Sequence, residues 1–173
     1  SATGGLAKQF LDWKGAPLYW ESALVFSRCA RVEGLVFVFP EACIDEERER
    51  VAGLMRNASL GIPWKVVAGG ALRQDSVRNG FLPDDCMEVL IHDAARPFVS
   101  PVLVNRILDG LHGEASGECV AACIPGIPVV DTIKVMDEEK KVVATPDRKY
   151  LMAVQTPQGF SLAFLRAAHQ RAE

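Results

Sequence analysis

No stretch of the 173 residues approaches the roughly 18 consecutive apolar positions that a membrane-spanning helix requires. The N-terminus also lacks the basic start and apolar core of a secretory signal, so the chain reads as soluble and cytoplasmic. Five cysteines (Cys29, Cys43, Cys86, Cys119, Cys123) form no CxxC pair and no Cys/His cluster at zinc-ligand spacing, which argues against a zinc module and for buried free thiols. Cys119 and Cys123, four apart in "ECVAACIP", read as core packing rather than as ligands. Neither the P-loop pattern GxxxxGK[ST] nor the dinucleotide fingerprint GxGxxG occurs, and no Ser/His/Asp or Cys/His set appears in a motif. Repeats and low-complexity segments are missing as well. An excess of positive charge is absent: the net charge is −3, so nucleic acid and anionic membrane are not expected as partners and any anion site must be local.

What is present is a hydrophobic content of 49% beside 24% charged residues, enough for one well-filled core and a single domain over residues 1–173. "GLVFVFP" reads as a buried strand, "EACIDEERERVAGLMRNA" as a solvent-facing helix, and "WKVVAGG" as a second strand. "LRQDSVRNGF" follows as a short helix and "EVLIHDAARPF" as a third strand with its loop. In "SPVLVNRILDGLHG" Ser100 is the expected N-cap of a helix with Pro101 in its first turn. "ECVAACIP" is expected to be a fourth strand. This alternation predicts an α/β fold with a mainly parallel twisted sheet and helices on both faces, whose ligands bind at the carboxyl ends of the strands. Between about 126 and 150 the alternation breaks into two short β-prone runs, "VVDTIKVM" and "KVVAT", around the turn "DEEKK". They read as a projecting β-hairpin arm, which a partner chain would cover. "SLAFLRAAHQRA" is a final amphipathic helix.

The strand-end loops hold the unusual residues. Asp93 and Arg96 suit a divalent cation, sugar hydroxyls or phosphate, a reading favoured by their strand-end position over an ion pair that merely pins the loop. His92 beside them reads as packed or bonded to backbone rather than as a general base. Gly69 and Gly70 permit close backbone approach to a nucleotide, or simply a tight turn, with Arg73 and Ser76 on one face of the helix that follows. Lys8, after a loop of small residues, is a solvated lysine or a mobile phosphate clamp. Thr145, Arg148, Thr156 and Gln158 in "TPDRKYLMAVQTPQGF" allow phosphate recognition, although turn chemistry alone accounts for the prolines.

Taken in order, "KQFL", "GGxxRQDSV", "HDAARPF", "PVVDTIK", "PDR" and "AVQTPQGF" closely resemble the 2-C-methyl-D-erythritol 4-phosphate cytidylyltransferases of the non-mevalonate isoprenoid pathway, over nearly the whole chain. The resemblance implies a Rossmann-like nucleotidyltransferase fold and a homodimer held by the β arm. It implies a reaction in which the phosphate of 2-C-methyl-D-erythritol 4-phosphate attacks the α-phosphorus of CTP and pyrophosphate leaves. A cytidylyltransferase for ribitol 5-phosphate, or an inactive nucleotide-binding relative, would share the motifs. By the resemblance Lys8 is the transition-state lysine, and Gly69, Gly70, Ser76, Asp93 and Ala94 meet the nucleotide. Asp93 is also the carboxylate on the side of a Mg²⁺ ion, Arg96 meets the substrate phosphate or the arm, and Thr156 is the contact to a substrate hydroxyl. Thr132 and Arg148 on the arm reach the partner's methylerythritol phosphate. The family pattern departs from this sequence at Ala7, where a proline is usual. It also places a strand and an arginine-bearing glycine loop ahead of Ser1, a lysine-bearing segment beyond Glu173, and in some members a fused cyclodiphosphate synthase.

Overall fold

The computed structural model describes residues 8–81, 86–113 and 117–171. The loop of small residues ahead of Lys8, Ala7 included, lies outside them. A short 3-10 turn (Lys8–Phe10) leads into a two-residue hairpin, β1 (Asp12–Trp13) with β2 (Ala16–Pro17), and then into α1 (Tyr19–Ser27). β3 (Leu35–Phe39) and β4 (Trp64–Ala68) are joined by α2 (Ile44–Asn57) and pair in parallel, with Phe39 opposite Ala68. The charge order of α2 suits its dipole: Asp45, Glu46 and Glu47 lie in the first turn and Arg56 in the last. Its inner face buries Val51 and Met55, one turn apart. Glu47 is buried too, and it accepts a hydrogen bond from the Tyr19 hydroxyl at 2.7 Å and faces Arg50 at 3.2 Å. Burial, first, and this carboxylate push the Tyr19 phenol above its ordinary range.

α3 (Arg73–Asn79) follows the glycine pair, and β5 (Glu88–Ile91) leads through the Asp93 loop to α4 (Pro101–Leu111). Ser100 caps α4 as expected, its Oγ accepting from Leu103 N at 3.2 Å with Pro101 beginning the helix. Val104, Ile107, Leu108 and Leu111, spaced for one helical face, are all buried. Of "ECVAACIP" only β6 (Ala122–Cys123) is strand. Cys119 is correspondingly exposed, its Sγ lying 3.5 Å from His112 O, while Cys123 packs against a core. The core assignment therefore fails for Cys119: it precedes the two residues that join the sheet.

The arm runs through β7 (Gly126–Pro128), β8 (Val135–Met136) and β9 (Val142–Ala144), then returns through β10 (Met152–Val154). β8 and β9 pair antiparallel around the acidic and basic turn, and β10 pairs with β7. β11 (Gln158–Ser161) then enters between β5 and β6, antiparallel to both, and α5 (Leu162–Arg171) closes the order. Parallel pairing among the described residues is thus confined to β3 and β4. β1 with β2 and β8 with β9 are local hairpins, and the antiparallel ladders of β10 and β11 arise because the chain comes back from the arm instead of crossing over through a helix.

Two buried clusters form the interior. Tyr19, Trp20, Ala23, Phe39, Val51 and Met55 make one; Phe26, Cys29, Val99, Val104, Leu108 and Leu111 make the other. α1 contributes to both. No described helix is long and apolar enough to cross a membrane.

Candidate active site

Phe39, the last residue of β3 and 4% exposed, is the point on which the strand-end segments meet. Its carbonyl accepts from Gly69 N at 2.8 Å, which holds the glycine pair beside the end of β3. Its ring lies 5.9 Å from that of Phe10 and 5.1 Å from that of Tyr19. Phe10 closes the turn that Lys8 opens, so this aromatic packing anchors the backbone from which the exposed Lys8 projects. Ala94, in the loop after β5, packs against the same buried cluster.

The glycine pair is first a structural device. Gly70 N donates to Ser76 Oγ at 3.1 Å, and that hydroxyl donates onward to Leu72 O at 3.3 Å. Leu72 N donates to Asp75 Oδ2 at 3.0 Å. A Cβ at Gly70 would stand 2.2 Å from the Cβ of Asp75, and one at Gly69 would stand 2.9 Å from Ser76 Oγ. Only residues without side chains allow α3 to fold back this closely onto the strand end.

The loop after β5 is pinned by hydrogen bonds at His92, Asp93, Ala95 and Arg96. Arg96 N donates to Asp93 O at 2.9 Å, closing a turn inside which Asp93 Oδ1 accepts from Ala95 N at 3.2 Å. Arg96 Nε stands 3.5 Å from Asp93 Oδ2, and its Nη1 donates to Gln155 Oε1. The pinning ion pair foreseen from the sequence is therefore present, and both side chains remain partly exposed. Asp93 N donates to Thr156 Oγ1 at 3.3 Å, joining this loop to the segment that precedes β11. His92 sits beneath: Nε2 is 2.9 Å from Arg96 O, Nδ1 is 3.2 Å from Thr156 Oγ1, and the ring packs edge-on against Phe26 at 5.3 Å. Burial pulls its pKa below the ordinary histidine value, outweighing the Arg96 carbonyl and the Asp93 carboxylate, which pull the other way. The packed, backbone-bonded reading of His92 is the one the structure shows.

β3 and β4 form one sheet and β5, β11 and β6 another, and contacts through Phe39 and Thr156 link their ends: Lys8, Gly69, Gly70 and Ser76 belong to the segments around Phe39, and Asp93, Ala94 and Arg96 to the loop tied to Thr156. Thr132 and Arg148 belong to the arm instead. Arg148 donates to Val130 O, and Asp147 caps the turn over Arg148–Tyr150 by accepting from Lys149 N at 3.1 Å. Sequence reasoning missed Phe10 and Phe39, which carry no chemistry of their own, and Gln155, which lies inside a quoted motif but has no charge to mark it.

No group of three or more His, Cys, Asp or Glu able to hold a metal ion occurs among the described residues. Asp93, the carboxylate in the loop after β5, is partly exposed. That donor set suits Mg²⁺, which binds through one or two carboxylates and completes its shell with water and substrate phosphates.

Solved structures with the same fold include 4-diphosphocytidyl-2C-methyl-D-erythritol synthase from Anaerococcus prevotii, at a TM-score of 0.80 and 24% identity over 97% of this chain and 70% of that one. The 2-C-methyl-D-erythritol 4-phosphate cytidylyltransferase of Thermus thermophilus matches at a TM-score of 0.66 and 33% identity, over 99% and 72%. The fold is that of a Rossmann-like nucleotidyltransferase. The family described as IspD, 2-C-methyl-D-erythritol 4-phosphate cytidylyltransferase, matches residues 2–173, and the chain belongs to it. A bifunctional enzyme IspD/IspF from Oleidesulfovibrio alaskensis is 52% identical over 98% of this chain and 42% of its own length. A 2-C-methyl-D-erythritol 4-phosphate cytidylyltransferase from Alkaliphilus metalliredigens is 34% identical over 96% and 66%. The chain therefore spans less than half the length of the bifunctional relative.

Proposed function

We propose that this chain is a single nucleotidyltransferase domain that transfers the cytidylyl group of CTP to 2-C-methyl-D-erythritol 4-phosphate. The products are 4-diphosphocytidyl-2-C-methyl-D-erythritol and pyrophosphate, and the setting is isoprenoid precursor synthesis in the cytoplasm. The observation that carries this reading is the meeting of the Lys8 turn, the glycine pair and the Asp93 loop around Phe39, in a chain of this family. An oxygen of the substrate phosphate forms a bond to the α-phosphorus, and the bond from that phosphorus to the bridging oxygen breaks. Both reactants are anions, so the protein's task is charge neutralisation and alignment rather than covalent catalysis. Lys8 takes the charge developing near the α-phosphate. Gly69, Gly70, Ser76 and Ala94 receive the nucleoside, with backbone groups reading the base edge. Arg96 and Thr156 hold the substrate. Asp93 holds Mg²⁺, which neutralises phosphate charge when bound.

The arm supplies the rest of the site to a second copy. Val130 is 75% exposed and Val143 59%, so apolar surface on the arm is available for a partner to cover. In that homodimer Thr132 and Arg148 reach the neighbour's methylerythritol phosphate. The experiment is pyrophosphate release by the intact protein from CTP, with 2-C-methyl-D-erythritol 4-phosphate or ribitol 5-phosphate, with and without Mg²⁺. Release that requires both the methylerythritol phosphate and the ion is expected; faster release with ribitol 5-phosphate, or none with either, would reject the reading.

A further inference from the structure

The hydrogen bonds around His92 have only one consistent direction when the ring is neutral. Arg96 O is a carbonyl and can only accept, so the proton of the ring must sit on Nε2, 2.9 Å away. Nδ1 is then a bare acceptor, and the hydroxyl 3.2 Å from it must donate. Thr156 Oγ1 at the same time accepts from Asp93 N at 3.3 Å. Its proton and one lone pair are thereby committed, and a single lone pair is left. We infer that His92 is a positioning residue that fixes the Thr156 hydroxyl as an acceptor, and so sets the polarity with which Thr156 meets the substrate hydroxyl that the family resemblance assigns to it.

The inference rests on the proposed reading, in which Thr156 meets the polyol phosphate. It adds that the polarity of the contact is set by a residue that touches no substrate. A phosphate oxygen facing the remaining lone pair would repel it, whereas a polyol hydroxyl would be bound. Phe26 keeps the ring edge-on at 5.3 Å, and the turn closed by Arg96 N and Asp93 O holds the carbonyl to which Nε2 is tied. The relay therefore also couples Thr156 to the loop that carries Asp93 and Arg96.

Two replacements separate this role from simple packing. In His92→Asn the amide oxygen stands where Nδ1 stood and still accepts from Thr156; in His92→Gln the longer amide reaches Arg96 O and leaves Thr156 without its acceptor. In the intact protein, His92→Gln should raise KM for 2-C-methyl-D-erythritol 4-phosphate by roughly tenfold, the scale of one misdirected hydrogen bond, with KM for CTP changed far less. His92→Asn should recover most of that loss. Adding His92→Gln to Thr156→Val should cost nothing beyond Thr156→Val alone. Nitrogen NMR of the ring at neutral pH should show Nε2 protonated and Nδ1 bare without any ligand. Equal losses in the Asn and Gln variants, additive losses in the double variant, or a ring protonated at Nδ1 would overturn the inference. Wild-type protein that does not turn over would reject the substrate reading instead, while the ring tautomer would still decide the orientation of Thr156.

Discussion

Lys8 has an exposed side chain on a backbone fixed by Phe10, so its charge can be removed without disturbing the interior. Lys8→Ala should lower kcat by on the order of 10²-fold or more, as expected for a lost charge-stabilising group, with the thermal midpoint nearly unchanged. Steady-state kinetics beside thermal unfolding checks this, and unaltered turnover would remove Lys8 from the chemistry. Gly70 predicts the opposite pairing of effects. A methyl group there meets the Cβ of Asp75 at 2.2 Å, so Gly70→Ala must displace the start of α3. Destabilisation of about 1–3 kcal/mol is expected, together with weaker CTP binding, measurable by denaturant titration and calorimetry. At this scale the sequence was informative where residues carry charge or lack a side chain. It was silent on Phe39, because an aromatic that ends a strand looks like any other core residue until Phe10, Gly69 and the Asp93 loop are placed around it.

Among the elements, β3, β4 and β5 were legible as short apolar runs rich in β-branched residues and α2 and α4 by one buried face at helical period, and α4 also announces its start with Ser100 and Pro101. β11 was not. "QGFS" has no β-branched residue, and its glycine is there for packing: a Cβ on Gly159 would stand 2.6 Å from Ile107 Cγ2 and 2.9 Å from Leu111 Cδ1. α4 therefore lies against a strand whose pattern is set by a neighbour distant in sequence, which local periodicity cannot report. The antiparallel insertion of β11 between β5 and β6 went unread for the same reason. Ser100→Ala offers a test confined to one element. Loss of the cap on Leu103 N should cost about 1 kcal/mol of stability while leaving kcat and KM nearly unchanged, since the Ser100 hydroxyl bonds to the helix backbone and not to a candidate site residue.

For the whole molecule, the arm decides whether one chain is a complete enzyme. If Arg148 and Thr132 serve a neighbour's site, an Arg148→Ala protein and a Lys8→Ala protein, each inactive alone, should regain activity when mixed and re-equilibrated. Up to a quarter of the sites then contain neither substitution, assuming random exchange into dimers. Activity that stays absent, with heterodimers demonstrated, would place Arg148 in its own chain's site. The two interior clusters bear on a different property. Tyr19, Trp20 and Ala23 lie in one and Phe26 in the other, so a single helix of nine residues forms a wall of both. Neither half can loosen without uncovering α1, and α1 cannot detach without dissolving the other half. Its amide protons should accordingly exchange with solvent only through complete unfolding, at a rate common to β3 and α4, whereas the amides of β8 and β9, which lie outside both clusters, escape through local openings of the arm.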